Sequence, residues 1–329
     1  MPLVRHLLII ILSLAATASG SAQDRKPYYT REVSVGLDND IIFFEDYYYT
    51  AGMDITYRQI LNPGSFLFKH GKPHSKSQTD SIKVIFTVRA GAKIYTPFDI
   101  LKTDPKDMDR AYAGWSYIDM ELTNFPNTSA SNTYQIEVGL TGPSSGMEKV
   151  QKWMHHITGF DQPAGWKYQL PDELAVNVRY QRMQGIPIFK ELDIVNTAWV
   201  DAGTVTNQIS DELIIRMGDF KPLNNSVFAN SRLSWDNRAQ GLRRPIEFFL
   251  LCGVGIHYVM NDMFIQGSLV TGTSSPIPAT IKPWVTQARY GLMISTQSIS
   301  FGLNFYHRAA DLRNGATHDW VSGFLAVRF

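Results

Sequence analysis

The stretch His318–Phe329 reads HDWVSGFLAVRF and alternates from Val321 onward. In an extended chain successive side chains point to opposite faces, so Val321, Leu325 and Phe329 share one face with the small and apolar residues between them. The pattern predicts a β-strand with a continuous apolar face that ends on an aromatic residue.

The same alternation recurs along the chain, for example at 118–123, 134–140, 176–181 and 299–305. Such strands suit a wall with lipid on one side and a polar lumen on the other. A terminal aromatic residue after an alternating strand resembles the assembly signal of bacterial outer-membrane barrels, so the barrel assembly machinery is an expected partner. We therefore predict an all-β, transmembrane antiparallel β-barrel. A soluble sandwich, whose sheets also alternate, is the alternative.

Thirteen segments qualify as candidate strands, which is one too many because bacterial barrels have an even number. Either two segments form one strand or one segment is a loop, and we predict about 12 strands. The candidates are 31–39, 53–61, 82–90, 112–123, 132–141, 174–184, 192–201, 211–218, 245–259, 262–270, 284–296, 298–307 and 318–329.

Residues 1–22 combine Arg5 with an apolar run and small residues, which is the pattern of a secretory signal peptide. No linker divides the rest, so 23–329 is predicted to form a single outer-membrane barrel domain. With one cysteine, Cys252, an intrachain disulfide is excluded. A net charge of +1 without a dense basic stripe gives no support for nucleic-acid binding.

One segment, 142–159, changes its period from two to about 3.6 residues and predicts a short helix packed in the barrel. Ser145 and Glu148 predict a capping box, and Gly159 predicts the C-terminal end.

The helix places Gln151 and His155 four residues apart, along the edge of an apolar stripe. His155 can then face a pocket wall, although a histidine that merely borders a packed stripe is the ordinary alternative. His156 lies on the opposite edge. The stripe consists of Val150, Trp153, Met154 and Ile157.

Three blocks between Leu37 and Gln169 resemble the signatures of the outer-membrane lipid A 3'-O-deacylase family. Beyond Gln169 the similarity is mainly one of strand pattern. The blocks are Leu37–Asp40 with Glu45–Gly52; Ile94–Pro97 with Asp109–Trp115; and Gly142-Pro143, Val150-Gln151, His155, Gly159, Pro163, Gly165-Trp166 and Gln169.

The resemblance implies a calcium-dependent esterase that removes an acyl or acyloxyacyl chain from lipid A or a related lipopolysaccharide, among the lipids of the Gram-negative outer membrane. His155 matches the histidine that activates water in that family, and histidine titrates near neutral pH as a general base must. Calcium (Ca2+) prefers oxygen ligands and would stabilise the developing oxyanion. The matching metal positions are Asp40 and Asp161.

Other family positions are also occupied. Lys102 matches a lysine suited to a phosphate or sugar oxygen of the substrate. Asp161 stands where some members carry glutamate, and Thr103 stands where a second basic residue can occur. The remaining matching catalytic positions are Asn39, Asp40, Thr50 and Gln151.

Strand alternation separates two of these residues. If 31–39 is a regular strand with Leu37 outside, Asn39 points outward and Asp40 points into the lumen. Both can act together only if the strand bends or ends there. We therefore predict a β-bulge near residues 38–40, since bulges are common next to active sites.

Three alternatives remain open. Thr50, activated by His155, could be a nucleophile that forms an acyl-enzyme instead of water attacking directly. The barrel could lack catalysis and act as a small pore or surface-interaction protein, because function does not follow from fold. The acidic residues around Asp40 and Asp46 could be an ordinary solvated loop.

Overall fold

The computed structural model describes residues 28–40, 46–72, 82–235 and 246–329, so the predicted signal peptide, 1–22, lies outside the described residues. Twelve strands form one closed antiparallel barrel in which each strand pairs with its sequence neighbours and β1 pairs with β12. The predicted fold class and strand number are confirmed. The strands are β1 Arg31–Asn39, β2 Tyr48–Ile60, β3 Lys83–Thr96, β4 Ala113–Asn127, β5 Ala130–Thr141, β6 Glu173–Phe189, β7 Leu192–Gly203, β8 Thr206–Asp219, β9 Glu247–Asp262, β10 Trp284–Ser295, β11 Ile299–Arg308 and β12 His318–Arg328.

The described residues also form three short α-helices, none of which is long and apolar enough to cross a membrane. They are α1 Phe66–Gly71, α2 Met147–Thr158 and α3 Met263–Gln266.

The surplus candidate strand is 262–270, which contains α3. The carboxylate of Asp262 accepts the N–H of Phe264 at 2.8 Å and so begins the helix, and Gly267 ends it with a φ of 89°. A side-chain cap therefore overrides a short apolar run that resembled a strand.

The two faces of the wall differ as alternation predicts. Val35 and Ile55 are exposed on the outer face. On the inner face Glu32 is buried between Arg58, at 3.0 Å, and Arg328, at 2.8 Å. Apolar side chains thus face outward and ion pairs occupy the lumen.

The segment 220–235, between β8 and β9, folds into the lumen at the end of the barrel where β1 begins and β12 ends; we call it the plug. Leu223 and Phe228 are buried among inner-face side chains. The carboxylate of Glu247 accepts the N–H of Val227 at 2.9 Å. The plug closes this end of the lumen.

Against Ala229 and Asn230 of the plug the lumen keeps a polar cavity of about 230 Å³. Beside α3 it keeps another of about 290 Å³. Its charged lining includes Arg89, Glu137, Arg179 and Asp201.

α2 packs on the outer face of β3 and β4, which corrects its predicted position in the barrel. A Cβ on Gly114 would lie 2.6 Å from the Cβ of Met147, so the helix touches the wall there. Gly114 pairs with Ile94, and Ile94 pairs with Ala51, on the same face as exposed Ile55. The lumen is filled by inner-face side chains and the plug, whereas small outer-face residues give α2 room to approach.

Candidate active site on the outer wall

α2 does not begin with the predicted capping box. Its N-cap is Gly146, with a φ of 76°, and the hydroxyl of Ser145 donates to the carbonyl of Gly142 at 2.6 Å. Ser145 is part of a 3-10 turn that Gly146 ends, and this local turn replaces the box. Gly159 does end the helix, with a φ of 77°.

The buried side of α2 is formed by Met147, Gln151 and His155, spaced four residues apart. Of the predicted stripe, Trp153 is 62 % and Ile157 45 % exposed, whereas Val150 is partly buried against the cluster that contains Met147 and Trp166. On the outer wall of a membrane barrel the exposed side of a helix meets lipid, so Trp153 and Ile157 face lipid whereas Gln151 and His155 face the protein. The packed stripe of the ordinary alternative is therefore packed on protein only in part.

His155 is held through both ring nitrogens. Its Nδ1 lies 2.6 Å from the carbonyl oxygen of Asp161, and its Nε2 lies 3.2 Å from Oδ2 of Asp46. A carbonyl only accepts hydrogen bonds, so Nδ1 carries a proton and donates it. In the neutral ring Nε2 is then the nitrogen that can take up a proton.

Gln151 links Asp46 to Trp166, which lies in the connection between α2 and β6. Its Oε1 accepts the indole N–H of Trp166 at 2.8 Å, and its Nε2 donates to Oδ1 of Asp46 at 3.4 Å. The buried Trp166 therefore fixes which end of the amide points at Asp46.

Asp46 is the site residue that the sequence did not identify. Burial raises the pKa of its carboxyl, and the nearby His155 acts in the opposite direction. In the sequence it is one of several acidic residues in a connection, which predicts a solvated loop. Its position two residues before the start of β2 was the available signal, because strand ends commonly carry site residues.

Thr50 is the extra residue of a β-bulge in β2. Tyr49 pairs with Tyr95, but Ala51 pairs with Ile94, so Thr50 has no partner of its own on β3. Its Oγ1 lies 2.9 Å from Oγ1 of Thr96. The bulge thus breaks the alternation that would have sent Thr50 into the lumen.

The bulge predicted near residues 38–40 is absent, because β1 pairs regularly with β2 and β12 as far as Asn39. The strand instead ends there. The side chain of Asn39 donates to the carbonyl of Thr50 at 3.2 Å. Asp40 lies beyond the ladder, is buried, and accepts the N–H of Tyr47 at 3.1 Å. Asn39, Asp40 and Thr50 are therefore neighbours without a bulge in β1.

Lys102 and Asp161 lie at the margin of this cluster. The ammonium of Lys102 pairs with the carboxylate of Asp99 at 3.5 Å, and both side chains are exposed. Asp161 is exposed and reaches His155 through its carbonyl rather than its carboxylate.

Oxygen atoms predominate where β1 ends. In the part of the chain that the structure describes, no three His, Cys, Asp or Glu side chains gather as a metal site. Asp40 and Thr50 are nevertheless neighbours: the backbone N–H of Asp40 donates to the carbonyl of Thr50 at 3.4 Å, and the carboxylate of Asp40 accepts the N–H of Tyr47. Carboxylate and carbonyl oxygens are what calcium prefers, so this donor set fits calcium in its chemistry.

Comparisons with known proteins agree with this architecture. The model of the family described as outer membrane protein LpxR matches residues 7–329. Sequence comparison with curated proteins gives no match. Among solved structures, LpxR from Salmonella typhimurium is similar, with a TM-score of 0.67 and 18 % identity over 91 % of this chain and 100 % of that chain. The β domain of the Bordetella autotransporter BrkA has a TM-score of 0.50 and 7 % identity, over 91 % and 99 % of the two chains.

At these identities the structural similarity concerns the fold alone. The family match is what extends the resemblance of Leu37–Gln169 to nearly the whole chain. It also places the barrel in the outer membrane, in agreement with the apolar outer face. The chain therefore belongs to the LpxR family of outer membrane proteins.

Proposed function

We propose that the protein is an outer-membrane esterase that hydrolyses an acyl or acyloxyacyl chain of lipid A, with His155 as the general base. The observation that carries the proposal is the imidazole of His155, held between the Asp161 carbonyl and the Asp46 carboxylate on the outer side of the wall. A base in this place meets a membrane lipid without any passage through the lumen.

The bond from Nδ1 of His155 to Asp161 leaves Nε2 to accept a proton from water. The water oxygen attacks the ester carbonyl carbon, Nε2 takes the proton, and the same proton then passes to the leaving alkoxide oxygen. Oδ2 of Asp46 stands in front of Nε2 at 3.2 Å. Rotation of this side chain, which is 27 % exposed, admits the water, and its carboxylate then stabilises the imidazolium.

Asp40 and the oxygens of Thr50 would hold calcium, which polarises an ester carbonyl and stabilises an oxyanion when bound. Asp40 follows the end of β1 and Thr50 lies near the start of β2, beside the segment that carries Asp46. Lys102 would contact a phosphate or sugar oxygen after release from Asp99.

A variant of the mechanism makes Thr50 the nucleophile. Its hydroxyl is bonded to that of Thr96 rather than to His155. That arrangement favours attack by water, because a nucleophile needs its base within hydrogen-bonding distance. An acyl adduct trapped on Thr50 would reverse this preference.

A small pore is the second candidate from the sequence. The plug and the inner-face ion pairs disfavour it, since they fill much of the lumen and leave cavities of about 290 and 230 Å³. Large and steady conductance in planar bilayers, without any change in lipid, would support the pore instead.

The deciding experiment is mass spectrometry of lipid A from a Gram-negative host that expresses the wild type, His155→Ala or His156→Ala. His156 is exposed on the same helix and is the matched control. We expect loss of an acyl mass with the wild type and His156→Ala, and a rate lower by about 100-fold to 10,000-fold with His155→Ala.

Chelation of calcium should remove the activity of the wild type, and added calcium should restore it. An unchanged lipid A spectrum from correctly folded wild-type barrel would refute the esterase proposal.

A further inference from the structure

The outer wall of β6, β7 and β8 carries two opposite charges. Arg182 pairs across the sheet with Ala198, and Ala198 pairs with Asp211, so the three residues form one row. Arg182 and Asp211 are exposed. Because neighbouring strands are about 4.8 Å apart, the two backbones lie about 10 Å from each other across Ala198.

Arg182 and Asp211 form hydrogen bonds to neutral side chains. Arg182 donates from Nη1 to Oδ1 of Asn132 at 3.0 Å and from Nη2 to Oε1 of Gln184 at 3.2 Å. The carboxylate of Asp211 accepts from the side-chain amide of Asn196. Across the described residues, neither charge has an oppositely charged partner.

Both charges lie within the apolar part of the wall. Along β6 the outward neighbours of Arg182 are Tyr180 and Gln184, and beyond them lie exposed Val178 and Ile186. Along β8 Asp211 stands between exposed Ile209 and Leu213. A cationic side chain on the lipid face of a barrel destabilises it, and the more so the nearer it lies to the bilayer midplane. A lipid headgroup fits poorly here, since apolar residues continue toward both ends of the barrel.

We propose that this wall is the interface with a second copy of the same chain. A two-fold axis near Ala198 brings Arg182 of each copy toward Asp211 of the other. The same patch on both copies then forms two identical ion pairs. The small side chain of Ala198 lets the two walls approach. Ion pairs in a site without water are strong, which removes the cost of leaving both charges in lipid.

The interface leaves the proposed active site accessible. In the closed order the centre of the patch on β7 is three strands from β4 and four from β3, the two strands that α2 covers. The inference is independent of the proposed function and can fail without it.

The first test uses charge reversal in the full barrel, with the dimer measured by energy transfer between labelled copies in phospholipid vesicles. Arg182→Asp and Asp211→Arg should each weaken dimerisation by at least roughly 30-fold, because a charge left without its partner in an interface costs about 2 kcal/mol or more. The double variant restores the complementary pair and should dimerise like the wild type. A double variant as weak as the single variants would overturn the proposal.

The second test adds no charge. Ala198→Cys in a Cys252→Ser background should form a disulfide-linked dimer on oxidation. Ile118→Cys, on the outer face of β4, is the matched control and should remain monomeric. A monomeric Ala198→Cys barrel would refute the interface. A monomeric wild type that binds phospholipid, together with an Arg182→Gln variant that does not, would refute it as well.

Discussion

Two polar clusters lie on the outer wall of the same barrel, and the chain covers only one of them. In the first cluster, α2 turns Gln151 and His155 toward the protein, where both side chains contact Asp46. Arg182 and Asp211 have no such cover. The comparison indicates that polar groups on a lipid-facing wall are tolerated when something shields them: a segment of the same chain in the first case and, by our inference, another copy in the second.

The largest effect is expected from a substitution that displaces α2 from the wall. Gly114→Val would put a branched side chain into α2, because even a Cβ would lie 2.6 Å from Met147. We expect lipid A deacylation to fall by about 100-fold, the loss that a shift of about 1 Å can cause, while the barrel remains folded.

Deacylation by the Gly114→Val variant is measured by mass spectrometry, and folding by the difference in gel mobility between heated and unheated barrel. Ala90→Val, at an exposed position of β3, is the control and should keep full activity. Normal activity in Gly114→Val would mean that the position of α2 is unimportant.

A smaller effect is expected inside the covered cluster. Gln151→Leu keeps the volume but removes the bonds to Trp166 and Asp46, so we expect roughly tenfold lower activity. Trp166→Phe removes the indole N–H that orients the amide. If Gln151 acts through this bond, the effects of the two substitutions measured in a double-mutant cycle will be non-additive. Additive effects would contradict that role.

The smallest effect concerns pH. Burial raises the pKa of Asp46, so the folded protein holds this proton more tightly than the unfolded chain. Its contribution to stability is therefore present at low pH and is lost as the pH rises through the raised value. Activity that needs the ionised carboxylate should fall on the acid side at a higher pH than an ordinary aspartate would cause.

Asp46→Asn should lose this acid limb of the pH–rate profile while keeping part of the activity at neutral pH. Rates are compared across pH in calcium-containing buffer. The same acid limb in wild type and Asp46→Asn would assign it to another group.

The sequence predicted the barrel well because alternation is a local signal that burial enforces along every strand. Its one surplus strand, 262–270, fails because the side chain of Asp262 starts a helix. The helix around His155 was also predicted, but its position was wrong, because it packs on the outer wall rather than in the barrel. An apolar stripe predicts a helix face that is excluded from water. In a membrane protein that face can contact lipid instead of the protein core.

The site was predicted as a set of residues, not as a geometry. Alternation placed Asn39 outside and required a bulge, and the bulge lies instead at Thr50 on the neighbouring strand. No periodic pattern marks one unpaired residue, because a bulge depends on the pairing of two strands. Asp46 was missed for a related reason: only the packing of α2 on the wall brings it to His155.

The buried carboxylate of Glu32, bonded to Arg58 and Arg328, bears on how accurately the barrel closes. Every other pair of adjacent strands is consecutive in the sequence, whereas β1 and β12 come from its opposite ends. A slip of one residue would turn Glu32 toward lipid and bring Val33 inside. Charge thus selects the register at the only junction where no connecting loop can do so.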